Sequence, residues 1–363
     1  MSADLKKLWI ALVVTLLAYI GLSLPYPVLT PLFIGAAPNA LNSWGGFSSE
    51  VLFTAIIAIY PLGIFIGSSF IGAISDRYGR RKVLAQTLLI CFVGYLVSAY
   101  ALYSNDFLLL IISRFLTGIT EGNVAIARAI ALDIGDEQSS GKGMSKTRAV
   151  SLINSAIFVG WLLGPLIGGA LADIQPYWAM IAAAVGALIC VVLVYFWLAE
   201  TSKTQSEVSQ SKSLWQAVTQ DNSLNLLRDP WAKKLFVMYL FFCLGTNMFY
   251  EFYPVWLVDY HQFTSLDIGI ATVSMTVFMI LTSVFLVTKL QQSFGFVKPL
   301  ANLIWMLALS MFVVPFTFGW STYVAFAVAG ILIASYNGLL PVFVSESKKD
   351  KGNGAVMGLI TTT

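Results

Sequence analysis

The sequence predicts an all-α protein that crosses a membrane many times. The 363-residue chain is 58% apolar and only 11% charged, whereas a soluble globular chain carries roughly 25% charged residues. A water-facing exterior must be polar, so this composition excludes an ordinary soluble protein. The 25 Phe, 15 Tyr and 10 Trp exclude a disordered chain. Strands of a membrane barrel would alternate polar and apolar residues over about ten positions, and the sequence shows no such pattern.

Stretches without Asp, Glu, Lys or Arg mark the individual crossings. A helix needs about 20 apolar residues to span the hydrocarbon layer. Five stretches fit one crossing each, the first fits one crossing and a loop, and the last fits two crossings joined at Phe318–Thr322. Two more apolar segments, at about 107–131 and 233–258, carry isolated charges, which gives ten predicted crossings. The charge-free stretches are 8–49, 51–75, 83–105, 149–172, 174–199, 268–288 and 299–345.

The distribution of basic residues predicts the orientation. With a cytoplasmic N-terminus, 19 of the 21 Lys and Arg residues fall on the cytoplasmic side, and the other two lie inside predicted helix 4. This predicts a multi-pass protein of the cell inner membrane or plasma membrane. A polar stretch divides the chain into a six-helix half (1–200), a cytoplasmic linker (201–231) and an incomplete second half (232–363). The second half holds four complete helices and the start of a fifth, so we expect either a fragment or a naturally truncated chain.

The turn between predicted helices 2 and 3 has an unusual composition. It reads GAISDRYGRRKVL over residues 72–84. Gly72 would let helix 2 approach a neighbour closely, and Gly79 would allow a tight turn that other residues strain. Asp76 is an acid in the middle of a basic cluster. The bases are expected to anchor the loop at the cytoplasmic face, and they are Arg77, Arg80, Arg81 and Lys82.

This turn resembles the signature loop of the major facilitator superfamily. The resemblance implies the major facilitator fold with two six-helix halves, here as ten complete transmembrane helices plus the start of the eleventh. It also implies that Asp76 meets the N-terminus of helix 11 and the loop bases, and thereby latches the cytoplasmic side shut. Asp133 resembles the acid that joins this network in relatives. The corresponding turn of the second half, at 288–298, keeps Gly295 and Lys298 and supports an internal repeat.

Predicted helix 5 contains the run GWLLGPLIGG. The spacing resembles the antiporter signature of the twelve-helix drug:proton antiporter branch, which includes multidrug and tetracycline-type exporters. Packing of small residues would account for the same glycines without any transport role. We expect the glycines to let a helix of the other half approach closely, and the proline to kink the helix. The residues of the run are Gly160, Gly164, Pro165, Gly168 and Gly169.

Predicted helix 4 carries three ionisable residues at seven-residue spacing, Arg114, Glu121 and Arg128. This spacing places them on one helix face. Arg114 and Gly118 resemble the helix 4 signature of the family, in which the arginine is linked to proton coupling. An ionised side chain at mid-membrane costs about 2.5–3.5 kcal/mol, so Glu121 is a candidate functional acid. Arg114 also fits a structural role in binding backbone carbonyls, and Arg128 is expected to snorkel towards the cytoplasmic end.

Predicted helix 7 carries a second acid, Glu251, one turn after Asn247. It fits either a protonatable group between the halves or a snorkelling acid in an aromatic belt at the membrane surface. Further candidates for lining a central cavity are polar or aromatic, although such residues more often serve ordinary packing. They are Tyr19, Tyr26, Asn154, Trp161, Tyr336 and Asn337.

These observations predict proton-coupled efflux of a small organic compound by alternating access. The substrate would bind between helices 1, 4, 7 and 10, and Glu121 and Glu251 would exchange protons. One alternative is a proton-coupled uptake symporter of a metabolite on the same fold, with Arg114 binding an anionic substrate. Another is a membrane protein that does not transport, such as a sensor.

The sequence offers little support for an enzyme, because no nucleophile–base set, metal cluster or nucleotide-binding loop occurs in it. We therefore expect no cofactor and no metal. The expected partners are a small-molecule substrate, protons and the lipid bilayer, with no nucleic acid, and the protein is expected to be a monomer.

Overall fold

The computed structural model describes residues 3–33, 37–121, 123–137, 144–172, 174–200, 223–261, 265–347 and 353–362. Throughout these residues the chain forms helices joined by short turns, without a β-strand, which confirms the all-α prediction. Within this part, nine helices are long and apolar enough to cross a membrane. A further 32-residue helix lies where the seventh crossing was predicted.

The N-terminal half contains the first six crossings. The first crossing consists of two helices separated by Leu24, the second of which begins at Pro25. The fourth consists of a helix that ends at Thr120, just before Glu121, and a helix described from Asn123 onwards. The helices are α1 (Ala3–Ser23), α2 (Pro25–Phe33), α3 (Ser49–Tyr78), α4 (Arg80–Ser104), α5 (Phe107–Thr120), α6 (Asn123–Glu137), α7 (Lys146–Ala172) and α8 (Pro176–Trp197).

The C-terminal half contains the remaining helices. A π-helical turn, Thr282–Leu286, interrupts its second crossing, and a 3₁₀ turn, Val314–Phe316, ends its third. The two crossings predicted within 299–345 are therefore both present. The helices are α9 (Pro230–His261), α10 (Ser265–Leu281), α11 (Val287–Phe294), α12 (Val297–Val313), α13 (Trp320–Ser347) and α14 (Asn353–Thr362).

The end of the predicted linker is helical. A 3₁₀ turn covers Ser223–Arg228, and α9 already begins at Pro230. Residues 201–222 of the predicted linker lie outside the described residues.

Both connections that follow the second crossing of each half turn at a glycine in a left-handed conformation. Gly79, between α3 and α4, has φ 97°, and Gly295, between α11 and α12, has φ 70°. L-residues rarely adopt such backbone angles, whereas glycine does so without steric cost. The positive φ at both positions explains why glycine recurs in the two turns.

The two halves pack against each other mainly through α7 and α14. Helix α7 contacts α10, α11 and α13 of the second half, and α14 packs on α3 and α6 of the first half. We call the end of the bundle that holds the α3–α4 turn and the start of α7 the basic end, since it carries Arg80, Arg81, Lys146 and Arg148.

Candidate functional site

Glu121 lies at a break in the fourth crossing. Helix α5 ends at Thr120, and the Glu121 backbone (φ −71°, ψ 1°) leaves the helical path before α6 begins at Asn123. The side chain is only 3% exposed. The sequence predicted one continuous helix over 107–131, whereas the structure has two helices that extend to Glu137. Interrupted helices at membrane depth are typical of transporter binding sites, because their free polar groups can serve a ligand or ion.

Two tyrosines on other helices form a chain of hydroxyl groups that ends at the Glu121 carboxylate. The Tyr95 hydroxyl, on α4, donates to Glu121 Oε1 over 3.0 Å. The Tyr60 hydroxyl, on α3, lies 3.2 Å from the Tyr95 hydroxyl. The second carboxylate oxygen, Glu121 Oε2, is buried and has no hydrogen-bond partner among the described residues. The acid therefore has one bonded oxygen and one that is open to a proton.

Arg114 contacts one of the same two tyrosines. Its guanidinium carbon lies 4.1 Å from the centre of the Tyr60 ring, a distance at which the cation is attracted to the ring face. Arg114 is 2% exposed, and its Nε and Nη1 have no hydrogen-bond partner in the described part of the chain. Arg114 and Glu121 thus meet through aromatic side chains of α3 and α4.

Close packing between α3 and α5 holds this cluster together. A Cβ atom added to Gly67 would lie 1.8 Å from the Ile119 carbonyl oxygen, and one added to Gly118 would lie 2.4 Å from the Tyr60 carbonyl oxygen. Only glycine permits this approach of the two backbones. The contact places Tyr60 beside the segment that carries Glu121.

Arg128 bonds a buried side chain of α7, which differs from the predicted snorkelling towards the cytoplasmic end. Its Nη2 donates to Asn154 Oδ1 on α7 over 3.2 Å, and the side chain is half-buried rather than extended towards the membrane surface.

Asn154 connects the two halves of the bundle. Its Nδ2 donates to the main-chain carbonyl of Asn337 on α13 over 2.9 Å. The Asn337 side chain in turn accepts a hydrogen bond from the Tyr239 hydroxyl, on α9, over 3.4 Å. Asn154 is fully buried and was predicted only as one of several cavity residues.

The other predicted cavity residues lie in different environments. The ring of Tyr336 is fully buried and stacks on Phe242 at 4.1 Å, and its hydroxyl has no described partner. Trp161 is 43% exposed and lies beside Tyr19. Asn247 is exposed and bonds the carbonyl of Cys243 in its own helix. The side chain of Glu251 lies outside the described residues.

At the basic end, Arg80 is buried between two carboxylates. It forms an ion pair with Asp76, and its Nε donates to Asp133 Oδ2 over 3.0 Å. The side chain is 2% exposed, so Arg80 does not anchor the loop at a membrane surface as predicted. Two buried or half-buried acids attract the arginine inwards, since an unpaired charge there would be costly. Arg77 and Arg81 instead lie over the rings of Tyr78 and Tyr195.

Sequence reasoning missed Glu200 at this end. Its carboxylate accepts hydrogen bonds from the backbone N–H groups of Arg80 and Arg81, over 2.9 and 3.2 Å, and so caps the N-terminus of α4. An acid directly after the last apolar residues of the sixth crossing was the available signal.

Helix α14 packs on α3, which carries Asp76 and the buried Gly72. A contact between Asp76 and the start of helix 11 stays a prediction.

The glycines of α7 approach a helix of their own half, which corrects the prediction of a contact with the other half. Added Cβ atoms would lie 2.5 Å from Tyr19 Cβ at Gly160, 1.9 Å from Ser23 Oγ at Gly164 and 2.2 Å from the Leu24 carbonyl oxygen at Gly168. All three partners belong to the first crossing or its break. At Gly169 an added Cβ would meet nothing within 4 Å, and Pro165 lies within the same helix.

Known proteins are similar to this chain in sequence and in fold. The chain is 31% identical over 218 residues to the class B tetracycline resistance protein of Escherichia coli, which covers 59% of this chain and 49% of that protein. The matched region thus spans about half the length of this curated relative.

Solved structures match over a larger share of the chain. The human organic anion transporter MFSD10 matches 100% of this chain and 90% of its own, with a TM-score of 0.76 at 18% identity. The proton:xylose symporter XylE matches 99% and 86%, with a TM-score of 0.73 at 17% identity. These identities show the fold alone. The model of the Major Facilitator Superfamily matches residues 11–363, and the chain therefore belongs to this superfamily, as its signature turn predicted.

Proposed function

We propose that the protein exports a small organic compound in exchange for protons. The observation that carries the proposal is the buried Glu121, which lies at a helix break with one carboxylate oxygen bonded and the other without a described partner. An acid in this position can take up and release a proton while its surroundings stay in place. The antiporter-like spacing in α7 and the similarity to a tetracycline resistance protein support export.

The exchange follows from competition for one negative charge. With Glu121 ionised, the site favours a cationic or amphipathic compound; a proton that binds Glu121 removes this attraction and releases the compound. The protonated site then returns to the other side of the membrane, where loss of the proton restores the charge. Rocking of the halves about the α7 and α14 contacts would expose the site to each side in turn. Glu251 is the second candidate acid in this scheme.

The test measures pH-driven uptake in everted membrane vesicles with tetracycline and ethidium as probes. We expect wild-type vesicles to accumulate at least one probe when their interior is acidified, and Glu121→Gln to abolish this accumulation. Glu50→Gln is the matched control, since Glu50 is exposed in the first turn of α3. Undiminished accumulation in both Glu121→Gln and Glu251→Gln would remove these acids from the mechanism.

Uptake of an anionic metabolite together with protons is the second candidate function. The buried Arg114 favours it, because two of its guanidinium nitrogens have no described hydrogen-bond partner and could bind a carboxylate. Here Arg114, rather than Glu121, would contact the substrate. The direction of proton movement on substrate addition to de-energised intact cells separates the two functions. Protons enter together with the substrate in uptake symport, whereas they leave in exchange for the entering substrate in antiport.

A further inference from the structure

We propose that Tyr60 and Tyr95 are positioning residues that hold the Glu121 carboxyl group in one orientation and direct its proton to Oε2. This inference deepens the proposed function and rests on it, because it assumes that Glu121 exchanges a proton. Tyr60 and Tyr95 belong to α3 and α4 rather than to the fourth crossing. They lie beside Glu121 because α3 and α4 pack against α5.

The number of hydroxyl protons fixes the direction of the hydrogen bonds. A tyrosine has one proton to donate, and Tyr95 uses its proton on Glu121 Oε1 over 3.0 Å. In the 3.2 Å contact between the two hydroxyls, Tyr60 must then be the donor. The order is Tyr60 to Tyr95 to Glu121 whenever the acid is ionised.

The same order persists when the acid is protonated. A proton on Oε1 would have to be donated to Tyr95 and would reverse the chain, which leaves the Tyr60 proton without a described acceptor in a buried site. Buried donors without acceptors are unfavourable. The reversed chain also leaves the carbonyl oxygen Oε2 without a described donor, so two buried groups lack partners. A proton on Oε2 keeps both hydrogen bonds of the chain and leaves only its own O–H without a described acceptor. The geometry therefore directs protonation to Oε2.

Arg114 fixes the first member of the chain. Its guanidinium carbon lies 4.1 Å from the centre of the Tyr60 ring, so the cation restricts the ring that carries the donating hydroxyl. Other titratable groups with an electrostatic interaction with Glu121 are Tyr19 on the first crossing, Cys91 on α4 and Cys190 on α8. The carboxylate accepts its hydrogen bond from Tyr95 rather than from any of these three groups.

The first experiment is infrared difference spectroscopy on the full-length protein in liposomes, stepped between low and high pH. The carboxyl band of Glu121 is identified by its loss in Glu121→Gln. We expect Tyr95→Phe to move this band to higher wavenumber, because the carbonyl oxygen loses its donor. Tyr60→Phe, which keeps the ring beneath Arg114, should move it less. Tyr100→Phe is the matched control, since Tyr100 is on the same helix as Tyr95 but 62% exposed.

The second readout is the pH dependence of transport in the vesicle assay. We expect Tyr95→Phe to displace the pH of half-maximal transport by about 0.7 unit, which corresponds to one net hydrogen bond of about 1 kcal/mol. A purely structural role would lower the rate equally at every pH. An unmoved band in Tyr95→Phe would overturn the positioning inference alone, whereas the absence of any band that Glu121→Gln removes would overturn the proposed function. If Tyr95→Phe fails to fold, Tyr60→Phe supports or refutes the inference by the same band shift.

Discussion

The side chain of Asn154 donates a hydrogen bond to the main-chain carbonyl of Asn337 over 2.9 Å and so connects the two halves of the bundle. The bond lies two turns inside the basic end, counted from the start of α7 at Lys146. Nearby, a Cβ added to Gly338 would lie 3.1 Å from Ser151 Oγ, so α7 and α13 are in close contact here. In this conformation the halves meet near the basic end.

Replacement of Asn154 by Ala should favour conformations in which the basic end is open. The variant loses the bonds to Arg128 and Asn337, and one net hydrogen bond of about 1 kcal/mol corresponds to roughly a fivefold change in the equilibrium. Distances between spin labels at positions 148 and 289, on exposed residues of the two halves, measure the change. Asn302→Ala, at an exposed asparagine, should leave the distances unchanged. Equal distributions in both variants would contradict the role of Asn154.

Replacement of Arg80 by Ala should destabilise the protein strongly. The two carboxylates of Asp76 and Asp133 would remain close together without their cation, and loss of one partner of a buried ion pair costs about 3–5 kcal/mol. Thermal unfolding followed by reaction of a thiol dye with the buried Cys91 and Cys190 measures the loss.

The control for this experiment is Arg148→Ala, at an exposed position of the same end. An exposed substitution should change the free energy of unfolding by no more than about 0.5 kcal/mol. Equal melting temperatures for the two variants would show that the buried ion pairs add nothing to stability.

The neighbouring glycines of α7 should differ sharply in their tolerance of alanine. A Cβ at Gly168 would lie 2.2 Å from the backbone oxygen of Leu24, whereas one at Gly169 would meet nothing within 4 Å. Gly168→Ala should therefore cost about 1–3 kcal/mol through overpacking. Gly169→Ala should be neutral or stabilising by up to about 1 kcal/mol, because alanine favours the helix. The same thermal unfolding assay measures both variants. Equal stabilities of Gly168→Ala and Gly169→Ala would refute the contact between α7 and the first crossing.

Replacement of Gly67 by Ala should reduce transport more than it reduces the amount of folded protein. The added Cβ would collide with the Ile119 carbonyl oxygen at 1.8 Å and push away the segment that carries Glu121. We expect loss of pH-driven uptake of tetracycline or ethidium at a comparable amount of folded protein in the membrane. Gly186→Ala, where an added Cβ meets nothing within 4 Å, is the control. Full activity in Gly67→Ala would show that the carboxylate position tolerates this displacement.

Sequence patterns predicted the candidate site only in part. Arg114 and Glu121 were selected as candidates because ionisable residues are costly in apolar segments. Tyr60 and Tyr95 carried no such signal, since tyrosines are frequent in membrane helices and their hydroxyls become informative only when a partner is known. The turn at Glu121 was not predicted, because a regular period does not reveal where a helix is interrupted.

The sequence by itself determined the number and approximate limits of the crossings, since the bilayer requires about 20 apolar residues for each and excludes charge from them. It also determined the superfamily, through a turn whose Gly79 has a φ of 97°. The tertiary structure alone decided which helix the α7 glycines approach, where Arg80 is paired and how Arg114 and Glu121 meet through two tyrosines. These relations join residues on different helices, and the relative rotation and depth of packed helices follow from the whole set of side-chain contacts rather than from any local pattern.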